Sequence, residues 1–125
     1  MTGTPNDGGT EPRISVVMPM LDGAATVHIQ LEALAAQGFD EPWELVVADN
    51  GSTDGSLTIV EEWRSRLPSL TVVDASAQRG VSHARNVGVS TARAPLIGVC
   101  DCDDVVSTGW VRAMYDALQR FDLVG

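Results

Sequence analysis

The sequence predicts an α/β fold: a mostly parallel sheet with helices packed on both faces. Three observations carry that reading. Short apolar runs alternate along the chain with segments of helical periodicity. The strand runs are continuously apolar, as strands covered on both faces must be. Acidic and amide residues gather directly after these runs. Right-handed crossovers bring successive strand ends to one edge of a parallel sheet, and ligands bind there.

Ile14 to Met18 is the first strand, ended by Pro19. Ala24 to Gln37 places Val27, Leu31, Leu34 and Ala35 on one helical face, with Asp22 as N-cap and Gly38 as stop. Trp43 to Ala48 is the second strand. Gly55 to Leu67 is the second helix, with Leu57, Val60, Trp63 and Leu67 in one stripe, and Pro68 blocks its continuation. Leu70 to Val73 is the third strand. Ser82 to Thr91 is a weaker helix, capped by Ser82 or its neighbour. Pro95 to Cys100 is the fourth strand, and Thr108 to Arg120 a helix with Val111, Met114 and Leu118 facing inward. Phe121 to Val124 reads as the start of a further strand.

The chain has 125 residues, enough for one domain with a single core. Met1 to Arg13 is rich in Thr, Gly, Pro and Asp and has no apolar face. It reads as a disordered leader before a domain spanning residues 14–125. The leader lacks the apolar centre of a signal peptide. No stretch approaches the roughly 20 apolar residues that span a bilayer, so there is no transmembrane segment and a soluble, cytoplasmic protein is expected. The formal net charge of −9 offers no electrostatic reason to bind nucleic acid. It does not argue against a nucleotide diphosphate, because clustered carboxylates recruit a divalent cation that attracts phosphates. Cys100 and Cys102, the two cysteines, are too close in sequence for a favourable disulfide and do not complete a zinc site. They read as small buried residues in or beside a strand.

Three segments could carry chemistry. Asp101-Cys102-Asp103-Asp104 crowds three carboxylates into four positions, which repel unless a cation or hydrogen-bond donors offset them. On an extended segment Asp101 and Asp103 point the same way and can converge. Such oxygen ligands suit magnesium or manganese. The alternative is an acidic turn capping the next helix through Asp104 or Ser107. Asp49-Asn50-Gly51-Ser52-Thr53-Asp54 is a tight turn in which Asp54 or Thr53 can cap a helix. Asp49 is not needed for the turn, and its carboxylate can accept a hydrogen bond from an imide such as that of uracil. Arg79 to Asn86 places Arg85 early in a helix, where a guanidinium suits a diphosphate or pairs with a nearby carboxylate. His83 reads as a surface or structural histidine. There is no Walker-type loop, no Gly-x-Gly-x-x-Gly run after the first strand and no nucleophile elbow, which weighs against P-loop hydrolases, dinucleotide dehydrogenases and serine hydrolases.

Taken in order, Ile14 to Pro19, Asp49 to Asp54, Gly80 to Asn86 and Asp101 to Asp104 resemble the family-2 glycosyltransferases from about Ile14 to Gly125. The resemblance implies the Rossmann-like, nucleotide-sugar-binding half of a GT-A fold, truncated at its C-terminus. It implies that Pro19 and Met20 line the base pocket and Asp49 contacts the base. Asp101 would lie near the ribose, Asp103 would hold Mg2+ or Mn2+ against the diphosphate, and Arg85 would lie close to the nucleotide. It further implies inverting transfer of a sugar from a donor, expected to be UDP-linked, to a glycan, lipid or small-molecule acceptor. The catalytic general base is expected downstream of Gly125, so no catalytic residue is nominated here.

Three positions depart from the family pattern. Leu21 stands where an aromatic residue is usual, which removes a stacking partner for the base. Asn50 replaces the second Asp of the turn, and Cys102 fills the variable place of the Asp-x-Asp motif. Two further readings compete with the enzyme. One is a non-catalytic nucleotide-binding fragment. The other is a structural α/β domain whose acidic runs only cap helices. An unpaired sheet edge also makes a complementing chain or self-association plausible.

Overall fold

A computed structural model describes residues 11–120 of the chain. Its elements follow one another as β1 (Ile14–Met20), α1 (Val27–Ala35), β2 (Trp43–Asp49), α2 (Ser56–Glu62), β3 (Leu70–Asp74), α3 (Val81–Thr91), β4 (Leu96–Val99) and α4 (Trp110–Arg120). A 3-10 turn, Arg64–Arg66, follows α2. The four strands form one parallel sheet in the order β3-β2-β1-β4. All residues of β1 and β2 are buried, as central strands covered on both faces require. The α/β class and the parallel sheet expected from the sequence are both present. The further strand expected at Phe121 to Val124, and residues 1–10 of the expected leader, lie outside the described residues.

The main core joins Ile14, Val16 and Met18 of β1 and Leu45 and Val47 of β2 to α1, α2 and α4. The other face of the sheet is covered by α3, which crosses very close to it. A Cβ on Gly88 would lie 2.5 Å from Val17 Cγ1. Tyr115, not anticipated from the helical stripe, is the second buried residue of α4 beside Val111.

Several element ends differ from expectation, each for a physical reason. β1 continues through Pro19 to Met20. The Cys100 N–H donates to the Val17 carbonyl at 3.0 Å, so odd positions of β1 face β4. That ladder ends at the Val17–Val99 pair, so the N–H that Pro19 lacks falls where no strand remains to need it. α1 starts at Val27 rather than Ala24, because Gly23 O already accepts turn hydrogen bonds from Thr26 N at 3.0 Å and Val27 N at 2.8 Å. Asp22 is not the N-cap; it sits at φ 52 and reaches into the next loop. α2 tightens into its 3-10 turn before Pro68. α3 begins after Gly80, at φ 132, and Ser82 lies inside the helix rather than capping it. α4 begins at Trp110, because Gly109 takes a left-handed φ of 80.

At the amino edge of the sheet, Glu44 is fully buried. It accepts hydrogen bonds from Ser15 Oγ at 2.6 Å, Arg93 N at 2.7 Å and Arg93 Nε at 3.2 Å. Ser15 Oγ in turn accepts from Ala94 N at 3.0 Å. This network anchors the α3–β4 connection and satisfies a carboxylate that would otherwise be costly to bury. It lies at the edge opposite the strand ends where ligands bind.

Candidate functional site

The carboxyl ends of β1, β2 and β4 deliver three loops to one rim. The sheet order reverses direction at β1, which has β2 on one side and β4 on the other. A crevice opens at such a switch point. The first two loops are stitched together by polar groups. Asp22 N donates to Ser52 Oγ at 2.9 Å, Thr53 N to Asp22 Oδ1 at 2.8 Å, and Ala24 N to Asp54 Oδ2 at 2.9 Å. Asp54 Oδ1 also accepts from Ser56 N at 3.0 Å and from the Ser56 hydroxyl. Neither Asp54 nor Thr53 is the N-cap of α2, contrary to expectation: that place is taken by Gly55 at a left-handed φ of 90, with no side-chain cap bond, and Asp54 holds Ser56 from one residue further out. The Ser56 hydroxyl, then the Ala24 amide, hold the Asp54 carboxyl below the ordinary Asp value of 3.8.

A cleft of about 580 Å3 opens between these loops, the start of α3 and the β4 loop. Pro19, Met20, Asp101 and Asp103 all line it. Four of the six residues nominated from sequence are thus brought to one cleft. Asp101 and Asp103 are exposed, with Cys102 between them half-buried. The segment is not extended as expected. It is a turn, in which Asp104 N donates to Asp101 O at 3.3 Å. Cys102 points inward, and a Cβ added to Gly23 would lie 3.0 Å from its Sγ. A small residue between the two aspartates lets the β1 and β4 loops approach. Asp104 belongs to neither helix cap nor cleft; it lines the adjoining groove.

The other two nominated residues stand apart from the cleft wall. Asp49 is 6% exposed, and its carboxylate accepts from Gly51 N at 3.3 Å and from Ser52 N at 3.2 Å. Asp49 thus does serve the turn, contrary to the sequence expectation, because the chain folds its next amides back onto the carboxylate; those bonds are long, and a carboxylate has further lone pairs to offer. Arg85 lines the adjoining groove, which runs along β4 and α4 and shares Asp101 with the cleft.

Sequence reasoning missed several participants. Asn50 is a clamp: its Nδ2 donates to Ala75 O at 2.7 Å and Gln78 O at 3.0 Å, while its Oδ1 accepts from Gly80 N at 2.9 Å. It thereby ties the β2 turn to the loop that leads into α3. Arg79 lines the cleft itself. The segment Arg79 to Asn86 was the signal, but its two flanking arginines could not be ranked without the crossover geometry. His83 Nε2 is shielded and has no hydrogen-bond partner among the described residues. Cys100 and Cys102 are free. Burial pushes the Cys100 thiol up to about 12, so it is chemically quiet.

Two exposed carboxylates, Asp101 and Asp103, share one cleft, and among the described residues no three His, Cys, Asp or Glu side chains converge as a metal cluster. That matches a hard cation that takes one or two protein carboxylates and fills its shell with phosphate and water, and it does not match an all-protein cage. No helix among the described residues is long and apolar enough to cross a membrane.

Comparisons with known proteins agree with this geometry. The model of glycosyl transferase family 2 matches residues 15–125. The chain is 30% identical over 112 residues to chondroitin synthase of Pasteurella multocida, covering 89% of this chain and 12% of that protein. TarS 1-349 of S. aureus, solved in complex with UDP, superposes with a TM-score of 0.73 at 30% identity, covering 88% of this chain and 32% of that one. The mannosyltransferase PcManGT of Pyrobaculum calidifontis, solved with GDP-Man and Mn2+, gives a TM-score of 0.73 at 27% identity over 87% of this chain and 32% of that one. The chain therefore spans a minor part of the length of each relative. Family match, parallel-sheet topology and loop placement converge, and the chain belongs to glycosyl transferase family 2.

Proposed function

We propose that this chain forms the donor site of a glycosyltransferase that takes a sugar from a nucleotide-sugar, UDP-linked, and passes it with inversion to an acceptor. The observation that carries the reading is the convergence of Pro19, Met20, Asp101 and Asp103 on one cleft at the switch point of the sheet. Relatives solved with UDP and with GDP-Man support a nucleotide-sugar ligand, and one of them was solved with Mn2+. In this reading Pro19 and Met20 form the apolar side of the base pocket. Asp49 accepts the imide N–H of the base in competition with its own turn amides. Asp101 takes the ribose, and Arg85 reaches the donor from the adjoining groove. Asp103 would hold Mg2+ or Mn2+. Such an ion supplies positive charge where the leaving nucleoside diphosphate gains negative charge.

The general base and the acceptor site are assigned to sequence beyond Gly125. The support is that relatives are several times longer than the stretch matched here. A cytoplasmic location belongs to the same proposal. The test is calorimetric titration of the purified chain with UDP, with and without Mn2+, beside Asp103→Ala. The expected result is Mn2+-dependent binding that Asp103→Ala weakens at least about tenfold. Absence of UDP binding to a chain shown to be folded refutes the donor-site reading. Binding without any transferase activity in a chain extended past Gly125 favours a non-catalytic nucleotide-binding fragment.

A further inference from the structure

We infer that Gln30 of α1 is a positioning residue for the Asp101–Asp103 turn, and that it sets the affinity of the donor site for its divalent cation. The inference rests on the donor-site reading above. Gln30 is fully buried. A buried carboxamide is unfavourable unless both of its ends are hydrogen-bonded. Both ends of Gln30 are satisfied, and both by the same loop. Its Nε2 donates to Asp101 O at 2.8 Å, and its Oε1 accepts from Val106 N at 2.9 Å. One side chain thus grips the two feet of the loop whose tip carries Asp103.

The loop has little else to hold it. β4 ends at Val99 and α4 does not begin until Trp110. Between them one backbone bond, Cys100 N to Val17 O, ties the loop's first residue to the sheet, and the loop's other backbone bonds among the described residues are short-range: Asp104 N to Asp101 O, Trp110 N to Ser107 O and Ala113 N to Gly109 O. Its other anchors also come from the loop before α1 or from α1's C-terminal side. Thr26 Oγ1 donates to Cys102 O at 3.2 Å. Gln37 lies seven residues, or two helical turns, after Gln30. Its Nε2 donates to Ser107 O at 2.9 Å and its Oε1 accepts from Val111 N at 2.8 Å, which caps α4. Gln37 secures the loop's far end and the helix; among the described residues Gln30 alone bonds both ends of the segment with the two cleft aspartates.

Glutamine is required at position 30 for a chemical reason. The position must offer a donor and an acceptor at once, to a carbonyl and to an amide. Methionine fills the same space and offers neither. Glutamate keeps the acceptor but, when ionised, sets an oxygen against the Asp101 carbonyl. A loop freed at either foot lets Asp103 wander from the position that a cation and a diphosphate must share. Residues that orient a metal ligand from behind typically change metal affinity by about 10–100-fold when replaced.

The experiment compares the full native chain with Gln30→Met, Gln30→Glu and a control, Val60→Ala. The control removes core volume from α2, which makes no hydrogen bond to this loop among the described residues. Each protein is first shown to be folded by circular dichroism. Amide exchange at Val106 and UDP binding with Mn2+ are then measured. Both Gln30 variants should exchange the Val106 amide at least about tenfold faster than the control and bind UDP with Mn2+ about 10–100-fold more weakly. Val60→Ala should bind like the native chain. If the native chain binds and both Gln30 variants bind equally well, the positioning role is refuted while the donor-site reading stands. If the native chain itself shows no Mn2+-dependent binding, the donor-site reading fails and this inference falls with it.

Discussion

Glu44 offers the sharpest test of how the sheet is held. Its side chain is 1% exposed, and it accepts three hydrogen bonds, two from Arg93 and one from Ser15. Glu44→Ala removes both carboxylate oxygens and with them all three bonds, leaving the Arg93 amide, the Arg93 Nε and the Ser15 hydroxyl without this acceptor. Breaking a buried charge pair from one side costs about 3–5 kcal/mol. The Arg93 side chain is 41% exposed, so solvent screens its share and the low end of that range applies. About 3 kcal/mol is therefore expected for Glu44→Ala. Glu44→Gln preserves volume and can keep the two short bonds on its oxygen, but its amide nitrogen then faces the Arg93 donor. About 1–2 kcal/mol is expected for it. The assay is urea unfolding followed by circular dichroism at neutral pH, with m compared across variants to exclude a change in the unfolded state. A Glu44→Ala loss below about 1 kcal/mol would refute the claim that this network anchors the α3–β4 connection. Glu44 lies five residues before Asp49 on β2, roughly 16 Å from the ligand edge. UDP affinity of the folded variants should therefore change less than about twofold, a shift of under ~0.5 kcal/mol.

Two further outcomes are expected. Gly88→Ala places a Cβ 2.5 Å from Val17 Cγ1 and 3.4 Å from Ala48 Cβ, both on fully buried residues. The gain in helix propensity of about 1 kcal/mol should be outweighed by overpacking of about 1–3 kcal/mol, so the variant should melt at a lower temperature; a raised Tm would contradict the close approach of α3 to the sheet. The Asp54 carboxyl is held below its ordinary value of 3.8, so its contribution to stability is complete above that value and is lost as pH falls through the lower, folded value. Asp54→Ala should be less stable than the native chain at neutral pH, with the difference shrinking on the acid side of 3.8; a pH-independent difference would show that the loop stitch does not depend on the carboxylate's charge.

The sequence by itself determined the class of fold, the order of its elements and the loops that meet at the carboxyl edge of the sheet. Those properties are local. An unbroken apolar run such as Leu45 to Ala48, short and rich in β-branched residues, reads as a strand covered on both sides, and polar residues following such a strand lie at the carboxyl edge. Element ends were less legible, because they depend on neighbours far along the chain. Pro19 could remain in β1 only because β4 stops short of it. Asp22 was an apparent helix cap in isolation, but in the folded chain its carboxylate is taken by the Thr53 amide, 31 residues away.

The site divides in the same way. Asp101 and Asp103 were legible as a pair, since crowded carboxylates announce themselves in sequence. That they share a cleft with Pro19 and Met20, while Arg85 opens to the next groove and Arg79 to the cleft, follows from where the crossover through α3 sets its helix down. The roles of Asn50, Gln30 and Gln37 had no sequence signal. Glutamine on a helix is an ordinary surface residue until another segment covers it. Gln30 meets its partners 71 and 76 positions later, after two crossovers and the return of β4 to the far side of β1. Local pattern selects each element because periodicity is a property of neighbouring residues. Only the tertiary structure selects polar partners, because a buried hydrogen bond exists only once the packed sheet brings both ends of it together.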